Sequence, residues 1–142
     1  MPTAPGIRRT APYGLPKGVP IPAMPNRRRE GDRFEDLACA YLRRKGYKIL
    51  DRNVYLMRKE LDVVAELDGT VVFVEVKGRR SKRFGAPVEA MGRTKTRRVV
   101  AAAEAYVKQK GLTGRRCRFD FIAVTFESDR PRIAHIEDAF GT

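Results

Sequence analysis

The sequence predicts an α/β domain with the element order α-β-β-β-α-β-β, preceded by a basic, proline-rich segment. Three observations carry that expectation. Two stretches repeat apolar residues at helical spacing, an Asp-Gly pair joins two apolar runs, and the prolines crowd into the first 29 residues. The length of 142 residues fits one domain, and 30 Lys and Arg against 17 Asp and Glu leave a net charge of +13.

Residues 1–29 hold seven of the nine prolines, no acidic residue, and the basic residues Arg8, Arg9, Lys17, Arg27, Arg28 and Arg29. With little apolar periodicity, and with proline removing backbone donors, this segment is expected to be disordered or extended. Two readings stay open for it: a non-specific phosphate-binding arm, or a solubilising leader or early start codon. The domain is expected over 30–142. Its first helix spans Glu30 to Lys45, where Phe34, Leu37, Ala38, Tyr41 and Leu42 form one stripe. Acids lie near the start, Arg43 to Lys45 near the end, and Gly46 is a plausible stop. Tyr47 to Val54 reads as a strand, and Glu60–Leu67 and Thr70–Lys77 form a hairpin around Asp68-Gly69. A basic glycine-containing loop leads to a second helix from about Thr94 to Lys110, with Val99, Val100, Ala103 and Val107 inward. Arg118–Phe126 and Arg132–Ile136 complete the strands.

Several classes are excluded. No apolar run approaches the ~20 residues that span a bilayer, and the N-terminus has no apolar core of a signal peptide. Cys39 and Cys117 make neither a disulfide framework nor a zinc cluster. The expected setting is a reducing cytoplasm with no membrane partner. The charge calls for a polyanion, most simply nucleic acid.

The hairpin carries the chemistry. With Asp68 and Gly69 as the turn, Asp62 faces Glu75 and Glu60 faces Lys77. Leu61, Val63, Ala65, Leu67, Val72, Val74 and Val76 then share the core face. Two like charges in opposition are destabilising, and a cation between them reverses the sign. Hard divalent ions take carboxylate, carbonyl and water oxygens, so Asp62, Glu75 and the backbone carbonyl of Val76 are candidate ligands. Lys77 would orient a metal-bound water and stabilise negative charge on phosphorus. The competing reading is a solvated sheet face with ordinary ion pairs, Glu60–Lys77 among them.

Asp62, twelve intervening residues and then Glu75-Val76-Lys77 resemble the core signature of the PD-(D/E)xK nuclease superfamily, with Leu61 where proline is usual. The chain more closely resembles the YraN-like bacterial family of predicted endonucleases, which is similar to archaeal Holliday-junction resolvases in fold. The resemblance runs from about Gly31 to Phe140. It rests on Glu35 to Ala38, Tyr41-Leu42, Gly46-Tyr47, Ile49-Leu50, Asn53, Glu60-Leu61-Asp62, Val72 to Lys77 with Arg79, Phe84-Gly85, Lys95, Arg118-Phe119-Asp120, His135 and Ala139-Phe140. It implies a restriction endonuclease-like core, a mixed sheet flanked by helices, and a catalytic set of Glu35, Asp62, Glu75 and Lys77 with Mg²⁺ or Mn²⁺. Two departures stand out: Phe34 and Lys59 occupy positions where glycine is usual before the helix glutamate and before Glu60.

Arg79, Arg80, Lys82 and Arg83 follow the signature, with Gly78 allowing close backbone approach, and are expected to contact phosphates. Lys95, Arg97 and Arg98 open the second helix, where basic residues oppose its dipole, and are candidates for the same role. His135 is expected to be structural, and Cys39 a small core residue. The expected function is a metal-dependent endonuclease acting on nucleic acid, DNA before RNA. The alternative is a non-catalytic nucleic-acid-binding module, DNA-, RNA- or ribosome-associated. Symmetric cutting of two strands would favour a homodimer.

Overall fold

The two apolar stripes become two helices covering opposite faces of one mixed sheet in the computed structural model, which describes residues 8–9, 13–14, 27–79 and 93–139, with side chains over 33–78 and 97–139. In chain order the elements are β1 (Arg8–Arg9), β2 (Tyr13–Gly14), α1 (Arg27–Arg44), β3 (Lys48–Leu56), β4 (Lys59–Leu67), β5 (Thr70–Arg79), α2 (Arg93–Gln109), β6 (Cys117–Glu127) and β7 (Arg130–Glu137). The five long strands and two helices follow the expected α-β-β-β-α-β-β order.

The sheet order is β1-β7-β6-β5-β4-β3, with β2 also paired to β7. Among the described residues only β5 and β6 run parallel, and α2 lies in the crossover that a parallel pair requires. On one face, Phe34, Leu37, Ala38, Tyr41 and Leu42 of α1 pack on Val63, Ala65, Val72, Val74, Ile122 and Val124. On the other, Val99, Ala102, Ala103 and Tyr106 of α2 pack on Val64, Val71, Phe73 and Phe119. Among the described residues no helix is long and apolar enough to cross a membrane.

Local chemistry ends the elements where expected. Gly46 (φ 94°) closes α1, with the Gly46 amide donating to the Arg43 carbonyl and the Tyr47 amide to Leu42 at 3.0 Å each. Asp68 (φ 52°) and Gly69 (φ 82°) make the two-residue turn, and the register follows from it: Leu67 opposite Thr70, Val63 opposite Val74.

Four differences from the sequence reading matter. The helix begins at Arg27 rather than Glu30, taking in Arg27 to Arg29. Arg8–Arg9 and Tyr13–Gly14, in the segment read as disordered or extended, run antiparallel to β7. Leu61 belongs with the α2 cluster rather than with Val63, so β4 changes face between them. Finally, the β4–β5 ladder ends at Val63–Val74, short of Asp62–Glu75 and Glu60–Lys77.

One buried polar network ties the layers together. Asp120 and His135 are both fully buried. Asp120 Oδ2 lies 2.7 Å from His135 Nε2, and His135 Nδ1 lies 3.0 Å from the Tyr41 hydroxyl. A carboxylate only accepts, so His135 Nε2 carries a proton and donates it to Asp120. Arg118 donates to both Asp120 oxygens at 2.9 and 2.8 Å and to the Tyr47 hydroxyl at 2.7 Å. Against the cost of burial, the bonds from His135 and Arg118 hold the Asp120 carboxyl below the usual carboxylate range. His135 therefore has the structural role its sequence position suggested.

Candidate metal centre

Where β4 and β5 part, side chains replace the ladder. The Val76 amide donates to Asp62 Oδ2 at 2.9 Å, filling the position a β4 carbonyl would otherwise take. This anchors the carboxylate at the split, beside Glu75 on β5. Glu75 is 5% exposed. Lys59, the first residue of β4, donates to Glu75 Oε2 at 3.3 Å. From the α1 face comes Glu35, midway along the helix that begins at Arg27, so the helix dipole, which fades beyond the first turn, does not account for an acid there. Carboxylate oxygens of Glu35, Glu60 and Asp62 lie within 4.8 Å of one another.

The electrostatics reflect this crowding. Burial first, and the charge of Glu75 second, push the Asp62 carboxyl up to about 7; Glu35 adds to the rise, while the Val76 amide and Lys59 oppose it. Arg52 on β3 lies 3.8 Å from Glu35 and 2.7 Å from Asp36, a cationic rim on the α1 side. The donor set is all oxygen and carries excess negative charge, so it fits a hard divalent ion. Such an ion would supply the charge that holds Asp62 ionised at neutral pH.

The profile of the Uncharacterised protein family UPF0102 matches residues 34–124. A UPF0102 protein of Geobacter sulfurreducens is 48% identical over 111 residues, which are 78% of this chain and 87% of that protein. Another, from Anaeromyxobacter sp., is 45% identical over 115 residues, 81% and 86% of the two chains. A third, from Persephonella marina, is 37% identical over 111 residues, 78% and 92%. The chain belongs to UPF0102. This is the YraN-like family that the motifs resemble. The UPF0102 match includes every residue of the acidic cluster, whereas His135 on β7 lies beyond it.

Within this UPF0102 domain the candidate site residues are placed unevenly. Glu35 and Asp62 come together with Glu60, while Glu75, the partner the register assigned to Asp62, stands outside that trio and acts on Asp62 through its charge. Lys77 is exposed on β5, and among the described residues none pairs with it; the lysine on Glu75 is Lys59. Glu60, read as an ion-pair partner of Lys77, instead lies with Glu35 and Asp62. The sequence signal for Lys59 was its departure from the family's glycine. Arg97 and Arg98 are exposed on α2. Arg80, Lys82 and Arg83 lie outside the described residues, as do the side chains of Arg79 and Lys95. Gly78 has a structural reason to lack a side chain, since a Cβ there would overlap the Phe34 ring of α1. That ring also packs on Phe126 at 5.9 Å.

Proposed function

We propose that this UPF0102 domain is a metal-dependent endonuclease that hydrolyses phosphodiester bonds in nucleic acid. DNA, including branched repair or recombination intermediates, is the substrate class. The observation that carries the reading is the cluster at the β4–β5 split, where burial and Glu75 raise Asp62 to about 7 and two further carboxylates stand close by. Mg²⁺ or Mn²⁺, when bound, supplies an activated water and charge stabilisation at the phosphate. Asp62 would hold it with Glu75 or with Glu35 and Glu60, and the Val76 carbonyl is the candidate backbone ligand. The Val76 amide fixes the orientation of Asp62. Lys77, two residues past Glu75 and exposed, meets the incoming phosphate and neutralises charge that develops there. Arg97 and Arg98, in a chain of net charge +13, hold the nucleic-acid backbone.

The test is a cleavage panel of linear, flapped, forked and four-way DNA, with matched RNA, in Mg²⁺ and Mn²⁺. Wild type should cut at least one substrate and Asp62→Asn none; equal cutting by both would overturn the reading. The second reading, a non-catalytic nucleic-acid-binding module, is favoured by the Lys59–Glu75 pair, which compensates an acid without metal. It predicts wild-type affinity in Asp62→Asn and no cleavage of any substrate.

A further inference from the structure

Lys59 presents a problem of charge compensation that the nuclease reading leaves open. It begins β4 directly after the Met57-Arg58 turn. Its side chain is only 16% exposed and Glu75 only 6%, with Nζ 3.3 Å from Oε2. A lysine at a strand mouth ordinarily keeps its ammonium in water. Here the ammonium is turned inward, onto a carboxylate that flanks Asp62. A buried charge must be paired or hold a metal, and Lys59 meets that need for Glu75 without an ion.

A divalent ion held by Asp62 and Glu75 would compete for the same carboxylate. It would also face the lysine's positive charge at close range in a site of reduced dielectric. We propose that Lys59 is a built-in competitor for the divalent ion, so that metal uptake displaces its ammonium from Glu75. This rests on the reading of the acidic cluster as a metal centre. The consequence is a site of deliberately weakened affinity, filled according to the supply of free divalent ion. The released ammonium then lies at the mouth of the split, next to where a phosphate would enter.

A structural tie would behave differently. If Lys59 only holds Glu75 in position, its loss disorders a ligand and weakens metal binding. If it competes, its loss strengthens binding, so the two roles differ in sign.

The experiment is calorimetric titration of the metal-free full chain with Mn²⁺ alone, comparing wild type, Lys59→Met, Lys59→Arg and Arg58→Met. Lys59→Met should bind Mn²⁺ at least tenfold more tightly, and Lys59→Arg should stay within about threefold of wild type. Arg58→Met removes the same charge from the exposed turn and should shift the affinity much less than Lys59→Met. Equal or weaker binding by Lys59→Met overturns the proposal and leaves the metal centre standing. Absence of Mn²⁺ binding in every variant overturns both. A second measurement needs no variant: reductive methylation of wild-type lysines, mapped by mass spectrometry with and without Mn²⁺. Lys59 should be protected in the metal-free chain and become reactive with Mn²⁺; unchanged protection overturns the displacement.

Discussion

Replacing Asp62 by asparagine should stabilise the metal-free protein at neutral pH while removing its response to metal. Asparagine keeps a carbonyl oxygen for the Val76 amide, so the 2.9 Å hydrogen bond survives and the charge is lost. The folded-state pKa of Asp62 is about 7 against 3.8 for the free group. A raised acid pKa destabilises the fold once the group ionises. The penalty is absent below about pH 3.8, grows as pH rises to 7, and is constant above. At 1.36 kcal/mol per pH unit the full difference is about 4 kcal/mol, an upper figure because the site relaxes and Glu75 shares the charge. A gain of about 2–4 kcal/mol at pH 8 corresponds to roughly 6–16 °C in Tm for a chain of this size. Thermal melts followed by circular dichroism in chelator at pH 4 and pH 8 measure it directly. The gap between variant and wild type should be large at pH 8 and small at pH 4. Adding Mn²⁺ at 100 times its Kd should raise wild-type stability by about 2.7 kcal/mol and leave the variant unmoved. An equal gap at both pH values would show that burial and Glu75 do not raise Asp62. An equal Mn²⁺ response would show that the ion does not bind there.

The buried network should behave in the opposite sense: Asp120 is depressed, so its contribution is present above about pH 3.8 and is lost as pH falls through its lower folded value. Asp120→Asn should cost about 3–5 kcal/mol in urea unfolding at pH 7 and flatten the acid limb of the stability curve. Gly78→Ala should cost about 1–3 kcal/mol through overlap with Phe34. The double variant Phe34→Ala with Gly78→Ala should be less unstable than the two single costs predict, by at least about 0.5 kcal/mol in a double-mutant cycle. Replacing Arg97 and Arg98 by alanine should lower the slope of log affinity against log salt on duplex DNA by about 0.9 for each phosphate contact removed. Fluorescence anisotropy at several salt concentrations reads that slope, and an unchanged slope removes these two residues from the interface.

Periodicity and turn chemistry made most of the fold legible. The helical spacing from Phe34 to Leu42 and from Val99 to Val107 gave the two covering helices, and Asp68-Gly69 gave the register that brings Asp62 toward Glu75. The remainder depends on interactions that leave no period in the sequence. A side chain takes the Val76 amide and ends the ladder one pair before Asp62–Glu75, so a register extrapolated to Glu60–Lys77 overruns the real pairing. Lys59 reaches Glu75 across 16 positions because the β3–β4 turn brings it to the same split. Gly78 looked suited to phosphate approach, but a ring from a distant helix fills the space. His135 was legible as structural, but its partners Tyr41 and Asp120 come from two other elements.

Two aspartates in one sheet show why the candidate chemistry belongs at the β4–β5 split and not at the other buried acid. Asp120 receives Arg118 on both oxygens, His135 on one and the Asp138 amide on the other at 3.0 Å. Its carboxylate is met by four hydrogen bonds, two of them from the Arg118 guanidinium, and its pKa falls. Nothing there calls for a cation, and the network joins α1, β6 and β7. Asp62 receives the Val76 amide and faces Glu75 and Glu35, and its pKa rises. Burial acts on both groups in the same direction, so the difference lies in the company each keeps. A sheet optimised only for stability would treat both alike. The under-compensated carboxylate is the one at the split, where a divalent ion would supply the missing positive charge.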